Sequence, residues 1–353
     1  MPMQLTVGAP DVATVTTAIA EPIHTEQLAG AAAQAISSAE PAAPVAPTLE
    51  TSVQGIFVAS SQRVLHLALD QLPPDSFNRM LPLPGAEQFR RLTAAAVLPA
   101  EGTVLAVSDA GKVYKFPAES HVGEPVCCRF ADVAYVEQRE RIILFTAAPP
   151  HHGDVQAVVL TSNGLVKRLA LGDLIPATAR GRTITAAGET ITAIGYAHSD
   201  DEVIIVTYNG YAIRFRAAEI PTQGANAAGV CGVQLHTGDA AIALMVVQQQ
   251  THTADLLVVT EQGKAKRTAL AQYVTQARGG FGLYTSSVGG LIGAFVAEAA
   301  DEVLLLTVQG SVARIAVAAV PQQGRSTAGS ALLARRTDET LFGALVIEYT
   351  NEL

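Results

Sequence analysis

Apolar residues in this chain are gathered into short β-branched and leucine-rich runs, each closed by the same punctuation. The clearest is Val203-Ile204-Ile205-Val206-Thr207-Tyr208-Asn209-Gly210, followed at once by Tyr211-Ala212-Ile213-Arg214. A run of that length bounded by turn residues reads as a buried strand. Asn-Gly between two such runs predicts a hairpin whose two turn residues take positive φ.

The pattern recurs. Val158-Val159-Leu160-Thr161-Ser162-Asn163-Gly164 leads to Lys167-Arg168, and Leu256-Leu257-Val258-Val259-Thr260-Glu261-Gln262-Gly263 leads to Lys266-Arg267. The run ending at Gly310 leads to Arg314, and the one ending at Gly111 leads to Lys115. In all five a Ser or Thr stands three residues before the glycine and a cation four after it. A sixth, degraded copy runs from Ile56 to Gln62, with Gln62 in place of the glycine and His66 in place of the cation. The glycines are spaced by 53, 46, 53 and 47 residues. A period of about 40–50 residues with several strands per unit marks a radial β-repeat. The expectation is an all-β ring of six four-stranded units at 52–101, 102–152, 153–201, 202–252, 253–300 and 301–353. Within each, a second strand pair follows the first hairpin. Gly238-Asp239, Gly289-Gly290 and Asp338-Glu339 are expected to open these second hairpins.

Composition adds limits. At 353 residues and 49% hydrophobic, the chain can bury a large core, yet it has no apolar run long enough to span a bilayer. The formal net charge is -9, and the first cation is Arg63, so a secretory leader with a basic start is not expected. Residues 1–51 are rich in Ala and Pro and carry only acidic charge. Glu21 to Ser38 has the length of a short helix, but isolated helices of that size are marginal in water. A disordered tail and linker is therefore expected over 1–51, followed by a single domain over 52–353. Cys127, Cys128 and Cys231 form no disulfide framework and read as small buried hydrophobes in a reducing cytosol.

Charge placement carries the functional reading. If the units are radial, Lys115, Arg168, Arg214, Arg267 and Arg314 stand at equivalent points around the perimeter, and Lys167, Arg216 and Lys266 thicken the belt. Lys and Arg on phosphates give sequence-independent, salt-sensitive affinity for a polyanion. Cations at strand edges also serve simply to keep sheets soluble and unpaired. All 23 cations but only 27 of the 32 acidic residues fall within 52–353, so the ring carries -4 and long-range steering is weak.

The repeated unit of strand, glycine, basic pair, Gly-rich loop and Gly-Val, most closely in Asn209 to Val233, resembles the C-terminal domain of DNA gyrase A and that of its topoisomerase IV relative. The resemblance covers 52–353, six units against six. It implies a β-pinwheel that bends double-stranded DNA around a positive rim, with Lys115, Lys167, Arg168, Arg214, Arg216, Lys266, Arg267, Arg278 and Arg314 as phosphate contacts. That family's box, Gln-basic-Arg-Gly-Gly-basic-Gly, is nearest here at Gln276-Ala277-Arg278-Gly279-Gly280-Phe281-Gly282. Gln276, Arg278, Gly279, Gly280 and Gly282 match; Ala277 and Phe281 replace cations, and the match lies in the fifth unit rather than the first. Weaker echoes run from Gln223 to Gly229 and from Gln323 to Gly329. The family uses this box to wrap DNA tightly, so DNA binding is implied more firmly here than chiral wrapping. The expected setting is cytoplasmic and nucleoid-associated, beside a type II topoisomerase core, with no cofactor.

Other classes fit less well. None of the eight tyrosines follows an arginine, the context of topoisomerase cleavage, and there is no phosphate-cradling Gly-Lys-Ser/Thr or Gly-x-Ser-x-Gly motif. His151-His152 with Asp154, near Cys127-Cys128, suggests a metal site, but adjacent strand residues point to opposite faces, and a polar loop is expected. No polar cluster of the kind a propeller hydrolase or lectin needs at its channel is evident. The alternative is a protein-interaction scaffold, favoured by the acidic balance and by Phe281.

Overall fold

The computed structural model describes residues 54–349 except 61–62, 74–75, 100–101, 119–124, 138, 150–153, 179, 249–253 and 334–339. The expected tail at 1–51, with its candidate helix at Glu21 to Ser38, the His151-His152 pair and the Asp338-Glu339 turn lie outside the described residues.

The described residues form six four-stranded antiparallel sheets, and the fourth unit shows how each is made. Glu202–Thr207 and Tyr211–Arg216 form the hairpin, in register from Glu202 opposite Arg216 to Val206 opposite Ala212. Ala241–Val247 pairs on the other side of Glu202–Thr207 and is the sheet's first strand, next to the corresponding strands Ile191–Ala197 and Leu291–Ala297 of the neighbouring units. The outer edge comes from the following unit, whose Leu283–Tyr284 pairs with Tyr211 and Ala212. The fourth unit in turn gives Val230–Cys231 to the sheet before it, opposite Leu165 and Val166.

The same exchange runs all the way round. Val126–Arg129, Arg182–Thr183 and Ser330–Ala331 each complete the preceding sheet, and Leu81–Pro82 of the first unit completes the last, against Ser311 and Val312. The ring is therefore closed by non-covalent pairing between its two ends. Pro82 is tolerated because it lies on an outermost strand with no further partner. Six units of four strands match the sequence expectation, but the second strand pair does not. One of its strands leaves for the preceding sheet, and only the other stays in its own unit.

The core lies between sheets, which explains why the runs are apolar without alternation. In Glu202–Thr207, Val203 and Ile205 pack with Phe215 of their own hairpin toward Val158 and Leu160 of the third unit. Ile204 and Val206 pack toward the fifth with Leu256 and Val258. Period-two geometry sends successive side chains to two different cores, so every position must be apolar. Full burial of each such side chain contributes about 1.5–3 kcal/mol.

The turn chemistry differs from the two-residue turn expected. Gly210 has φ +88, whereas among the described non-glycine residues only Asn78 has positive φ. The Gly210 amide donates to the Thr207 carbonyl at 3.0 Å, and the Tyr211 amide donates to Thr207 Oγ1 at 3.2 Å. This is a four-residue turn with a glycine bulge, and the hydroxyl three residues before the glycine satisfies the strand's first amide. Ser108, Thr161, Thr260 and Thr307 do the same for Lys112, Leu165, Lys264 and Ser311. Among the described residues no helix is long and apolar enough to cross a membrane.

Candidate functional site on the outer edge

The recurring arginine sits mid-strand on the hairpin's second strand, where the next unit's loop folds back over it. Arg214 Nε donates to Glu202 Oε2 at 2.7 Å, and its Nη2 pairs with the same oxygen. Its Nη1 reaches the Leu270 and Tyr273 carbonyls of the fifth unit at 3.2 and 3.4 Å. Arg267 pairs with Asp255 at 3.0 Å and donates to the Val320 carbonyl at 2.8 Å. Arg314 pairs with Glu302 at 2.8 Å and lies 4.3 Å from the centroid of the Phe77 ring. Arg168 has Gln156 where the others have an acid; it donates to the Ile220 carbonyl at 2.7 Å and to Ser199 at 2.8 Å. At each of these arginines a single parallel bridge ties the strand to the next unit, at Thr222, Thr275, Gln322 or Phe77. The register explains the pairing. Arg214 stands opposite Ile204, two residues from Glu202 on the same face.

Lys167 and Lys266 are buried rather than on the rim, at 2% and 1% exposure. The Lys167 ammonium donates to the carbonyls of Ala225 at 2.6 Å and Ala227 at 2.7 Å, with Gly224 at 3.4 Å. Lys266 holds the Gly324 carbonyl at 2.7 Å and that of Arg325. Burial lowers the pKa of both, that of Lys266 to about 8, with the Arg325 charge adding to the effect. Six of the nine expected phosphate contacts are thus engaged in joints between units.

Of the other three, Arg278 also bonds across a joint, while Arg216 and Lys115 stand apart. Arg216 is exposed, beside a short 3-10 turn. Lys115 is half-buried on the wall of a cleft of about 520 Å³ with Thr103, Pro149 and Ile175. Here Thr103 occupies the place of the acid, so the Arg–carboxylate pair is missing. His66, at the sixth cation position, is buried against Phe57 with ring centroids 4.1 Å apart, beside a cavity of about 250 Å³. Both cavities open at joints that lack the arginine.

Arg278 belongs to the box-like segment. Its amide donates to Glu219 Oε2 at 3.0 Å, its Nε to the Glu219 carbonyl at 3.1 Å, and its Nη1 to the Cys231 carbonyl. The Gln276 amide donates to the Arg214 carbonyl at 2.7 Å and that of Gly279 to the Gly232 carbonyl at 2.9 Å, while Gly280 accepts from Gln234. Gly282, at φ +77, lies so close to the fourth unit that a Cβ would meet the Ala212 carbonyl oxygen at 2.5 Å. The segment is a clasp holding the fifth unit's edge strand on the fourth. The echoes at Gln223–Gly229 and Gln323–Gly329 follow the same path, with Gln223 on Arg168 and Gln323 on Arg267. Ile213 stands under the box-like clasp where Lys167 and Lys266 stand under its echoes.

Sequence reasoning missed an aromatic group on this edge. Tyr211 lies 4.5 Å from His236 and 5.3 Å from Tyr284, and His236 stacks on Phe281 at 4.5 Å. Only Phe281 gave a signal, as an apolar residue in a polar box. The exchange of Leu283–Tyr284 between units assembles the rest. Cys127 and Cys128 are half-buried, but Cys231 is exposed on an outer strand, which corrects the expectation that all three are core residues. Among the described residues no His, Cys, Asp and Glu cluster could hold a metal.

A closed ring of six four-stranded units with exchanged edge strands, cations in its joints and clasps along its outer edge belongs to the β-propeller class. The chain is a member of the DNA gyrase C-terminal domain, beta-propeller family, whose model matches residues 102–120, 156–194, 201–248, 254–283 and 301–348. The gyrase A protein of Escherichia coli (strain K12) is 27% identical over 240 residues, covering 66% of this chain and 27% of that protein. That of Mycobacterium tuberculosis (strain CDC 1551 / Oshkosh) is 31% identical over 240 residues, 65% of this chain and 28% of that protein. The chain thus spans little more than a quarter of these relatives. A solved DNA gyrase A C-terminal domain superposes with TM-score 0.73 at 18% identity, covering 84% of this chain and 100% of that one. A topoisomerase IV C-terminal domain does so at 0.64 and 19%, covering 85% and 95%.

Proposed function

We propose that this chain is a non-catalytic module that binds and bends double-stranded DNA without sequence preference along the outer edge of the ring. Its setting is the bacterial cytoplasm and nucleoid, with a type II topoisomerase core as protein partner. Membership of the gyrase C-terminal family carries the reading. The physical support is a division of labour among the cations. Arg168, Arg214, Arg267 and Arg314, with Lys167 and Lys266, fix the angle between units and so the curvature of the edge. Lys115, Arg216 and Arg278 supply phosphate contacts, joined by Arg325 on the sixth unit's clasp. The net negative charge of the ring makes the affinity modest and short-ranged.

A mobility shift with a duplex of about one hundred base pairs tests this, since small wrapping proteins engage lengths of that order. Affinity should fall steeply with salt, each neutralised phosphate adding about 0.9 to the slope of log K against log salt. Replacing Lys115, Arg216 and Arg278 together by Gln should reduce both affinity and slope. No duplex binding at low salt, or an unchanged slope in the triple variant, would overturn the assignment and leave a protein-docking ring.

A further inference from the structure

The four-ring ladder is unlike the rest of the outer edge. Phe281 and Tyr284 are each 41% exposed and His236 is exposed, so a continuous aromatic surface faces solvent at one joint. Counting from Gln276, the echo segments put Ala228 and Ala328 at the place of Phe281, and Cys231 and Ala331 at the place of Tyr284. The ladder is therefore not a requirement of the clasp, which forms without it at the neighbouring joints. Exposed aromatic surface of this kind marks an interaction site.

Two guanidinium groups flank it. Arg325 Nη1 donates to the Tyr284 carbonyl at 3.3 Å, and Arg278 is anchored on Cys231 and Glu219; both are half-exposed. Planar rings between cations fit a ligand with planar faces joined by anions. In a duplex those faces are covered by neighbouring base pairs, so a duplex could offer the ladder only its backbone.

We propose that Tyr211, His236, Phe281 and Tyr284 form a stacking platform for unpaired bases of single-stranded DNA, with Arg278 and Arg325 on the adjoining phosphates. This deepens the proposed function and rests on it, adding preference for a locally melted stretch to duplex binding along the same edge. Base stacking on aromatic side chains is sequence-tolerant, because every base has a π-face.

The absence of tryptophan from the chain gives a clean probe. In the full chain carrying Phe281→Trp, an oligothymidine of about 20 nucleotides should quench the emission, and an abasic strand of equal length should not. Phe281→Ala and Tyr284→Ala should each weaken oligothymidine binding by about tenfold and change duplex binding less than twofold. Both residues are substantially exposed, so folding should survive these changes. Equal affinity for thymidine and abasic strands, or no loss in either alanine variant, would overturn the platform. Duplex binding without single-strand binding would refute the platform and spare the proposed function; loss of both would refute both. Emission of the Trp variant that shifts with protein concentration in the absence of DNA would assign the patch to a second copy of the chain and likewise refute it.

Discussion

Arg214→Ala should destabilise the ring by about 2–4 kcal/mol, although the residue lies on the outer half of a sheet. The guanidinium holds one carboxylate and two carbonyls at once, and all three must be resatisfied when it is removed. A hydrogen bond involving a charged group contributes about 1.5–3 kcal/mol, and the carbonyl contacts at 3.2 and 3.4 Å lie at the low end of that range. An exposed ion pair contributes about 0.2–1 kcal/mol, while stripping one partner from a buried pair costs about 3–5. With Arg214 17% and Glu202 21% exposed, the pair falls between those limits. Burial raises the Glu202 pKa, but Thr275 and Arg214 more than offset it and hold it below the usual carboxylate range. That stabilisation is present above the unfolded pKa of about 4.3 and is lost as pH falls through the lower folded value. The gap between wild type and Arg214→Ala should therefore shrink under acid. Urea unfolding at neutral and acid pH is the assay, with exposed Arg216→Ala as the control that should stay within about 0.5 kcal/mol. An Arg214→Ala loss below about 1 kcal/mol, or equal losses in the two variants, would refute the account of the joint.

Three further outcomes follow from the same geometry. Lys266 should titrate near pH 8, measurable by NMR of its Cε. Because that value lies below the unfolded one, wild type should gain stability relative to Lys266→Met as pH rises from about 8 toward 10.4, and a constant difference would refute the burial of the ammonium. Gly282→Ala should cost about 2 kcal/mol or more in thermal or urea unfolding, from positive φ and the clash with Ala212; Gly224→Ala, with nothing within 4 Å, should be near neutral. Phe77→Ala should weaken the sixth-to-first closure by about 1 kcal/mol, seen as faster amide exchange in Ser311–Ala316, since Arg314 lies over that ring.

The local pattern was enough to find the units. Residues such as Val203 to Thr207 are apolar at every position because both faces are covered, and the Ser or Thr before each glycine closes the turn through its own hydroxyl. Both are short-range effects, and they left a countable period. The same period placed Arg168, Arg214, Arg267 and Arg314 at equivalent points, but periodicity is blind to what lies across a joint. Their acids, Glu202, Asp255 and Glu302, lie 12 residues away, and their carbonyl partners more than 50 residues away. Nothing local distinguishes a cation held in a joint from one offered to a phosphate. The exchange of edge strands was hidden for a related reason. Val230–Cys231 and Leu283–Tyr284 are two-residue strands with no pattern of their own, and only closure of the ring decides whose sheet they complete. The aromatic ladder depends on that exchange, because it draws on residues from two units that meet only when one lends its edge to the other. The repeat, its turns and its buried strands were written into neighbouring residues. Which charges are free and which rings meet was settled only by the folded ring, because both depend on packing between units rather than within them.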